Sequence, residues 1–183
     1  EYMFRNVCKQ QAKWLEEGHQ ILPVSVNLSR ATMYHEDIVE RYCAILEEYH
    51  LDSKYVQIEV TETVMEGRID IIQMLGKFRS LGIRVLMDDF GTGYSSLATL
   101  GMSCFDTLKL DKSLIDHIGE EKGEMLLSHV ISMGQKLGLH ITAEGVENSM
   151  QFDFLQKVNC DDIQGFLFAK PMPSEDFEKL LKN

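Results

Sequence analysis

Short runs rich in β-branched residues alternate with longer stretches of helical periodicity, and that alternation constrains the fold more than any other feature of the chain. Residues 24–28, 55–60, 83–87, 105–110 and 140–143 read as strands, with a short sixth strand near Ile163. Between them Ile38, Tyr42, Ile45 and Tyr49 recur at helical spacing, as do Ile72, Leu75 and Phe78, and then Leu126, Val130, Met133 and Leu137. Phe4, Val7, Cys8 and Leu15 mark one face of a leading helix, and residues 149–158 read as a helix. Ser174 is placed to cap a last helix whose first turn holds Glu175 and Asp176. Strands and helices in this order build parallel β-α units with right-handed crossovers, so the predicted fold class is α/β. Six such units make either a doubly wound open sheet or most of a TIM-like (β/α) barrel, and periodicity leaves both open. A complete barrel takes about 250 residues and rarely fewer than about 200, so a chain of 183 residues is short of one by about two strands.

Charge narrows the partners. Twenty-nine acidic against 18 basic side chains leave a formal charge of -11, which argues against a nucleic-acid polymer and against contact of this domain with an anionic membrane. An anionic substrate then needs positive charge supplied locally, and metal ions are the obvious source. No run approaches the roughly 18 apolar residues of a membrane span, and no signal peptide is visible. Cys8, Cys43, Cys104 and Cys160 form no C-x-x-C pair and read as reduced thiols of a cytoplasmic protein. The six histidines show no zinc-binding spacing. No interdomain linker interrupts the chain.

The polar residues fall at one kind of place. Asn27 ends the first predicted strand, and Glu59 ends the second with Glu62 just beyond. Asp88 and Asp89 follow the third, Lys109 and Asp111 end the fourth, Glu144 and Glu147 follow the fifth, and Gln164 ends or follows the sixth. In parallel α/β folds the C-terminal rim of the strands is where ligands bind. One amide, several carboxylates and a lysine make an oxygen-donor site, suited to Mg²⁺ or Mn²⁺ rather than zinc or copper. Adjacent carboxylates such as Asp88 and Asp89 suit a pair of divalent ions about 4 Å apart, as used for in-line displacement at phosphoesters. Each residue also has a plainer reading: Asp88-Asp89 as a turn, Glu62 as a loop brace, Lys109 as a lysine snorkelling outward, Gln164 as a backbone cap, Asp111 as a helix N-cap. Gly91-Thr92-Gly93 lacks the third glycine of a dinucleotide loop.

These residues sit in strings that resemble a known family. Val26-Asn27-Leu28-Ser29, Glu59-Val60-Thr61-Glu62, the ten residues from Asp88 to Leu97 (DDFGTGYSSL), Leu108-Lys109-Leu110-Asp111, Ala143-Glu144-Gly145-Val146-Glu147 and Gln164-Gly165-Phe166-Leu167-Phe168 are similar, in order, to those of the EAL domain, the cyclic di-GMP phosphodiesterase module of bacterial signalling proteins. The resemblance implies an incomplete TIM-like barrel and hydrolysis of cyclic di-GMP to linear pGpG with Mg²⁺ or Mn²⁺. It also implies inhibition by Ca²⁺, whose longer, irregular coordination misplaces the water. By the same resemblance Asn27, Glu59 and Asp88 are ligands of a first metal, and Asp88 and Asp89 hold a second. Lys109 orients the attacking water or stands in for part of an ion's charge, and Glu144 activates water or supports the metal cluster. Glu147 and Gln164 line the substrate pocket, and Glu62 anchors the loop that links the site to a homodimer interface. The family's name-giving Glu-Ala-Leu segment is not found in the sequence. The expectation is therefore a single EAL-type domain over residues 1–183 without its N-terminal portion and first two strands, part of a longer signalling protein. Such a chain is expected to bind the first metal weakly and to hydrolyse little by itself. A regulatory module that binds cyclic di-GMP or a protein without cleavage is the alternative.

Overall fold

A computed structural model describes residues 1–61, 69–92, 101 and 104–181. Six strands are hydrogen-bonded in sequence order: β1 (Val24–Asn27), β2 (Val56–Thr61), β3 (Arg84–Phe90), β4 (Thr107–Leu110), β5 (His140–Ala143) and β6 (Asp162–Ile163). The pairings β1/β2, β3/β4, β4/β5 and β5/β6 are parallel. The helices are α1 (Tyr2–Glu16), α2 (Arg30–Met33), α3 (Ile38–Glu48), α4 (Ile69–Ser80), α5 (Lys112–Ile115), α6 (Glu121–Lys136), α7 (Ser149–Lys157) and α8 (Ser174–Leu181). The fold class is the α/β class expected, with six parallel strands of an incomplete TIM-like barrel.

The chain divides into two compact units. The first holds residues 1–60, 69–85 and 171–183. Its core stacks Phe4 of α1 on Tyr42 of α3 at a centroid distance of 3.9 Å, with Phe78 of α4 5.7 Å from Tyr42. The β1/β2 register sets Val26 beside Ile58 and Asn27 beside Glu59. Because side chains alternate along a strand, Val26, Val56, Ile58 and Val60 share an apolar face, while Ser25, Asn27, Gln57 and Glu59 share the opposite one. The amide of the fully buried Gln11 donates from Nε2 to the carbonyls of Leu22 and Tyr55, fixing the chain just before each of these two strands.

The second unit holds residues 61–68 and 86–170. All four residues of β4 are buried, as in a parallel strand covered on both faces. Asp111 caps α5, its carboxylate accepting from the Ser113 N–H at 2.9 Å. Burial pushes the Asp111 carboxyl up, but hydrogen bonds from Ser113 and Lys112 outweigh it and hold the group below the usual aspartate range. Asn148 and Gln151 form a reciprocal capping box that starts α7.

Three expectations are corrected. On α6 the buried face is Leu127, Ile131 and Gly134, whereas Leu126 and Leu137 are at least half exposed. Apolar residues line two adjacent stripes of this helix, and packing selects the one containing Gly134, where an added Cβ would lie 2.5 Å from Ile141 Cδ1. On α1 the core face runs through Phe4, Cys8, Gln11 and Trp14, and Leu15 is turned out. Ser174 lies in the first turn of α8 rather than before it, with the Pro173 carbonyl accepting from the N–H groups of Asp176 and Phe177.

The choice of stripe on α6 is open to test. Leu127→Ala is expected to destabilise by about 2–5 kcal/mol, and Leu126→Ala by no more than about 0.5 kcal/mol, in urea unfolding. Equal losses would mean that both stripes are packed.

Candidate functional site

In the second unit a lysine organises the site. Lys109 lies in β4 with only 7% of its surface exposed. Its ammonium stands 2.9 Å from Asp88 Oδ1 and 2.6 Å from Glu144 Oε1. The outward, snorkelling alternative for this residue is thereby excluded. A charge so far from water is tolerable only against opposite charge and hydrogen-bond acceptors, and the two carboxylates provide both. Asp88 lies in β3 and Glu144 directly follows β5, so three successive strands position one member each. Gln164, following β6, donates from Nε2 to Glu144 Oε1 and extends the set to a fourth strand. The backbone continues the same order, with the N–H of Glu144 bonded to the Leu110 carbonyl and that of Gln164 to the Ala143 carbonyl.

A bulge aims the aspartates. Met87 is in register with Leu108 and Phe90 with Leu110, so Asp88 and Asp89 together stand opposite the single residue Lys109. These aspartates therefore lie inside β3, which runs on to Phe90, and do not follow it as alternation alone suggested. Asp89 occupies the left-handed region at φ 57°, a conformation that aspartate and asparagine accept more readily than other side-chain-bearing residues. Its carbonyl accepts from the N–H and hydroxyl of Thr92 at 3.3 and 3.0 Å.

Glu147 is half exposed and paired with Lys112 at 3.1 Å. Lys112 lies across Gly145, where a Cβ would come within 2.6 Å of Lys112 Cβ and where φ is +69°. Hydrogen bonds donated by Lys112 to Asp116 and Glu147 raise its pKa, the Asp116 contact most. In the first unit Asn27 and Glu59 face one another across β1 and β2. Glu59 is 7% exposed and its Oε1 accepts from the Ser25 hydroxyl at 2.7 Å. Glu62 and the loop residues from Gly93 onward lie outside the described residues.

Two partners escaped the sequence reading. Ser25 could have been found, because it lies two residues before Asn27 and thus on the same strand face. Lys112 gave no such signal: it follows the capping Asp111 and looks like any surface lysine.

The donor set of amide and carboxylates, without thiolate or imidazole, suits a hard divalent cation. That Asp88 and Glu144 already enclose a positive charge fits the same conclusion. Elsewhere Glu17, His19 and Glu178 bring ligand atoms within 4.8 Å of one another. There Lys13 stands 3.6 and 3.5 Å from the two carboxylates, which makes an ion-pair cluster of them.

The EAL domain family model matches residues 1–171, and the chain belongs to that family. It is 36% identical over 184 residues to the cyclic di-GMP phosphodiesterase NbdA of Pseudomonas aeruginosa, covering 100% of this chain and 24% of that protein. The crystal structure of the EAL domain of Mycobacterium smegmatis DcpA is similar at a TM-score of 0.90 and 31% identity, covering 97% of this chain and 81% of that one. The Klebsiella pneumoniae BlrP1 complex with manganese and cyclic di-GMP is similar at a TM-score of 0.77 and 30% identity, over 92% of this chain and 45% of that one. The chain spans about a quarter of the length of the curated relatives it matches. Among the described residues no helix is long and apolar enough to cross a membrane.

Replacing the buried lysine leaves Asp88 and Glu144 together without their cation. Lys109→Met is therefore expected to destabilise by roughly 3–5 kcal/mol in urea unfolding, because it leaves buried negative charge uncompensated. A loss below about 1 kcal/mol would show that the lysine does not neutralise these carboxylates.

Proposed function

We propose that this chain is the phosphodiesterase domain of a longer, cytoplasmic signalling protein, and that it opens one phosphodiester bond of cyclic di-GMP to give linear pGpG with Mg²⁺ or Mn²⁺. The observation that carries the reading is the buried Lys109 ammonium held between Asp88 and Glu144. Family membership supports the substrate, and the manganese and cyclic di-GMP bound to the BlrP1 relative support the kind of cation. Bound divalent cations would supply neutralisation of the phosphate and a lowered pKa of water.

The chain's own groups do the rest. Asp88 and Asp89 are the proposed ligands on β3, with Asn27 and Glu59 as the further ligands that β1 and β2 contribute. Lys109 orients the attacking water and holds positive charge where negative charge builds up on the phosphate. Glu144, held by Lys109 and Gln164, takes the water's proton while the water oxygen bonds to phosphorus and one ring P–O bond breaks, the departing ribose oxygen taking up a proton from solvent to leave as a hydroxyl. Glu147 and Gln164 are the proposed pocket groups for the nucleotide, and Glu62 the anchor of the loop that begins at Asp89. The resemblance supports a homodimer as the working assembly and residues 1–183 as one EAL-type domain.

The test is turnover of cyclic di-GMP with Mn²⁺ by the full-length protein carrying this chain, with pGpG separated by chromatography. Asp88→Asn and Lys109→Ala are each expected to lower turnover by about 100-fold or more. Nucleotide bound in calorimetry without any pGpG formed, or turnover unchanged in both variants, would overturn the hydrolytic reading.

A further inference from the structure

In the second unit, the loop from Glu144 to Glu147 is held on two sides. Its start is fixed by the Glu144 N–H, which donates to the Leu110 carbonyl and sets the residues just past β4 beside those just past β5. On one side the Val146 N–H donates to the Gln164 carbonyl at 3.1 Å, and the Val146 carbonyl accepts from the Leu167 N–H at 3.0 Å. On the other lies Lys112, the first residue of α5, whose backbone is set by the Asp111 cap. A Cβ on Gly145 would fall 2.6, 2.7 and 2.9 Å from Cβ, Cγ and Cδ of Lys112, so the lysine stem passes flat across a residue without a side chain. Its ammonium then stands 3.1 Å from Glu147 Oε1 and 3.0 Å from Asp116 Oδ1.

A half-exposed ion pair of this kind adds little to stability, so its place matters more than its strength. Glu147 lies three residues past Glu144, beyond the C-terminal end of β5. The chain as a whole carries a formal charge of -11, and a nucleotide bearing phosphates is repelled by each unpaired carboxylate near its path. Held in place, a carboxylate accepts hydrogen bonds from the N–H groups of a base. Freed, it adds a mobile negative charge. Resting on the reading of Glu147 as a pocket group for cyclic di-GMP, we propose that Lys112 is a positioning residue for substrate binding: stretched across Gly145, it fixes the Glu147 carboxylate and offsets its charge, so that the pocket admits an anionic nucleotide.

The informative readout is the coupling between the two residues, which a lysine of merely structural role would not show. Cyclic di-GMP is titrated by calorimetry into the full-length protein and its Lys112→Met, Lys112→Arg, Glu147→Gln and Lys112→Met/Glu147→Gln variants, with Ca²⁺ in place of Mn²⁺ to hold hydrolysis back. Methionine keeps an unbranched stem over Gly145 and removes the charge. Lys112→Met is expected to weaken binding about fivefold, and Lys112→Arg to keep the wild-type affinity. In the Glu147→Gln background the same loss of the lysine is expected to cost less than about twofold, because the charge it offsets is gone. A loss of equal size in both backgrounds would mean that the ammonium attracts the nucleotide directly, and no loss in Lys112→Met would mean that Glu147 serves without it. Either result overturns the inference. Glu147→Gln by itself tests the assignment beneath: with wild-type affinity in that variant, Glu147 is no pocket group. A wild type that binds no cyclic di-GMP would remove the substrate reading, and this inference with it.

Discussion

A lysine ammonium withdrawn from water imposes conditions on everything around it. Lys109 sits in a strand whose four residues are all buried, and its charge is met by Asp88 and Glu144. Those two acids are delivered from the strands on either side of β4, by β5 in regular register and by β3 through its bulge. The constraint runs in both directions: without the lysine the acids repel, and without the acids the lysine is an unpaid desolvation cost of several kcal/mol. A buried ion pair of this kind is poor evidence of stability gained. It is better evidence that the charges are kept for chemistry.

Sheet geometry turns this pairing into a site. One extra residue in β3 sets two aspartates against one lysine, and of these Asp88 reaches the Lys109 ammonium. On β1 and β2 no bulge is needed. Alternation there already places Ser25, Asn27, Gln57 and Glu59 on a single face, and the apolar residues between them on the other. Polar residues are thus set out by two routes, regular pleating on β1 and β2 and a shifted register between β3 and β4.

Much of this was legible in the sequence, and the rest was not for identifiable reasons. Strand positions were readable because β-branched runs have few alternatives once helical stretches separate them. The grouping of Asp88, Lys109, Glu144 and Gln164 was readable because each lies in the C-terminal half of a strand or just beyond it, on neighbouring parallel strands. The buried stripe of α6 was not, since Leu126–Val130 and Leu127–Ile131 are equally apolar and only the approach of Gly134 to Ile141 decides between them. The bulge at Asp88-Asp89 was invisible too, because a register shift is a property of two strands together. The hydroxyl of Ser25 and the ammonium of Lys112 are partners whose relevance depends on which carboxylate they reach, and reach is not written in local pattern.

Asp89 carries a last consequence. Its backbone sits in a conformation that glycine, asparagine and aspartate enter with little steric penalty and that branched or bulky residues resist. Of those three, glycine has no side chain and asparagine no negative charge. Wherever this position must both turn the chain and present an anion, the genetic code offers a single residue. Drift there is barred twice over, by sterics and by charge, and a neutral replacement can preserve the shape of the turn while removing only its chemistry.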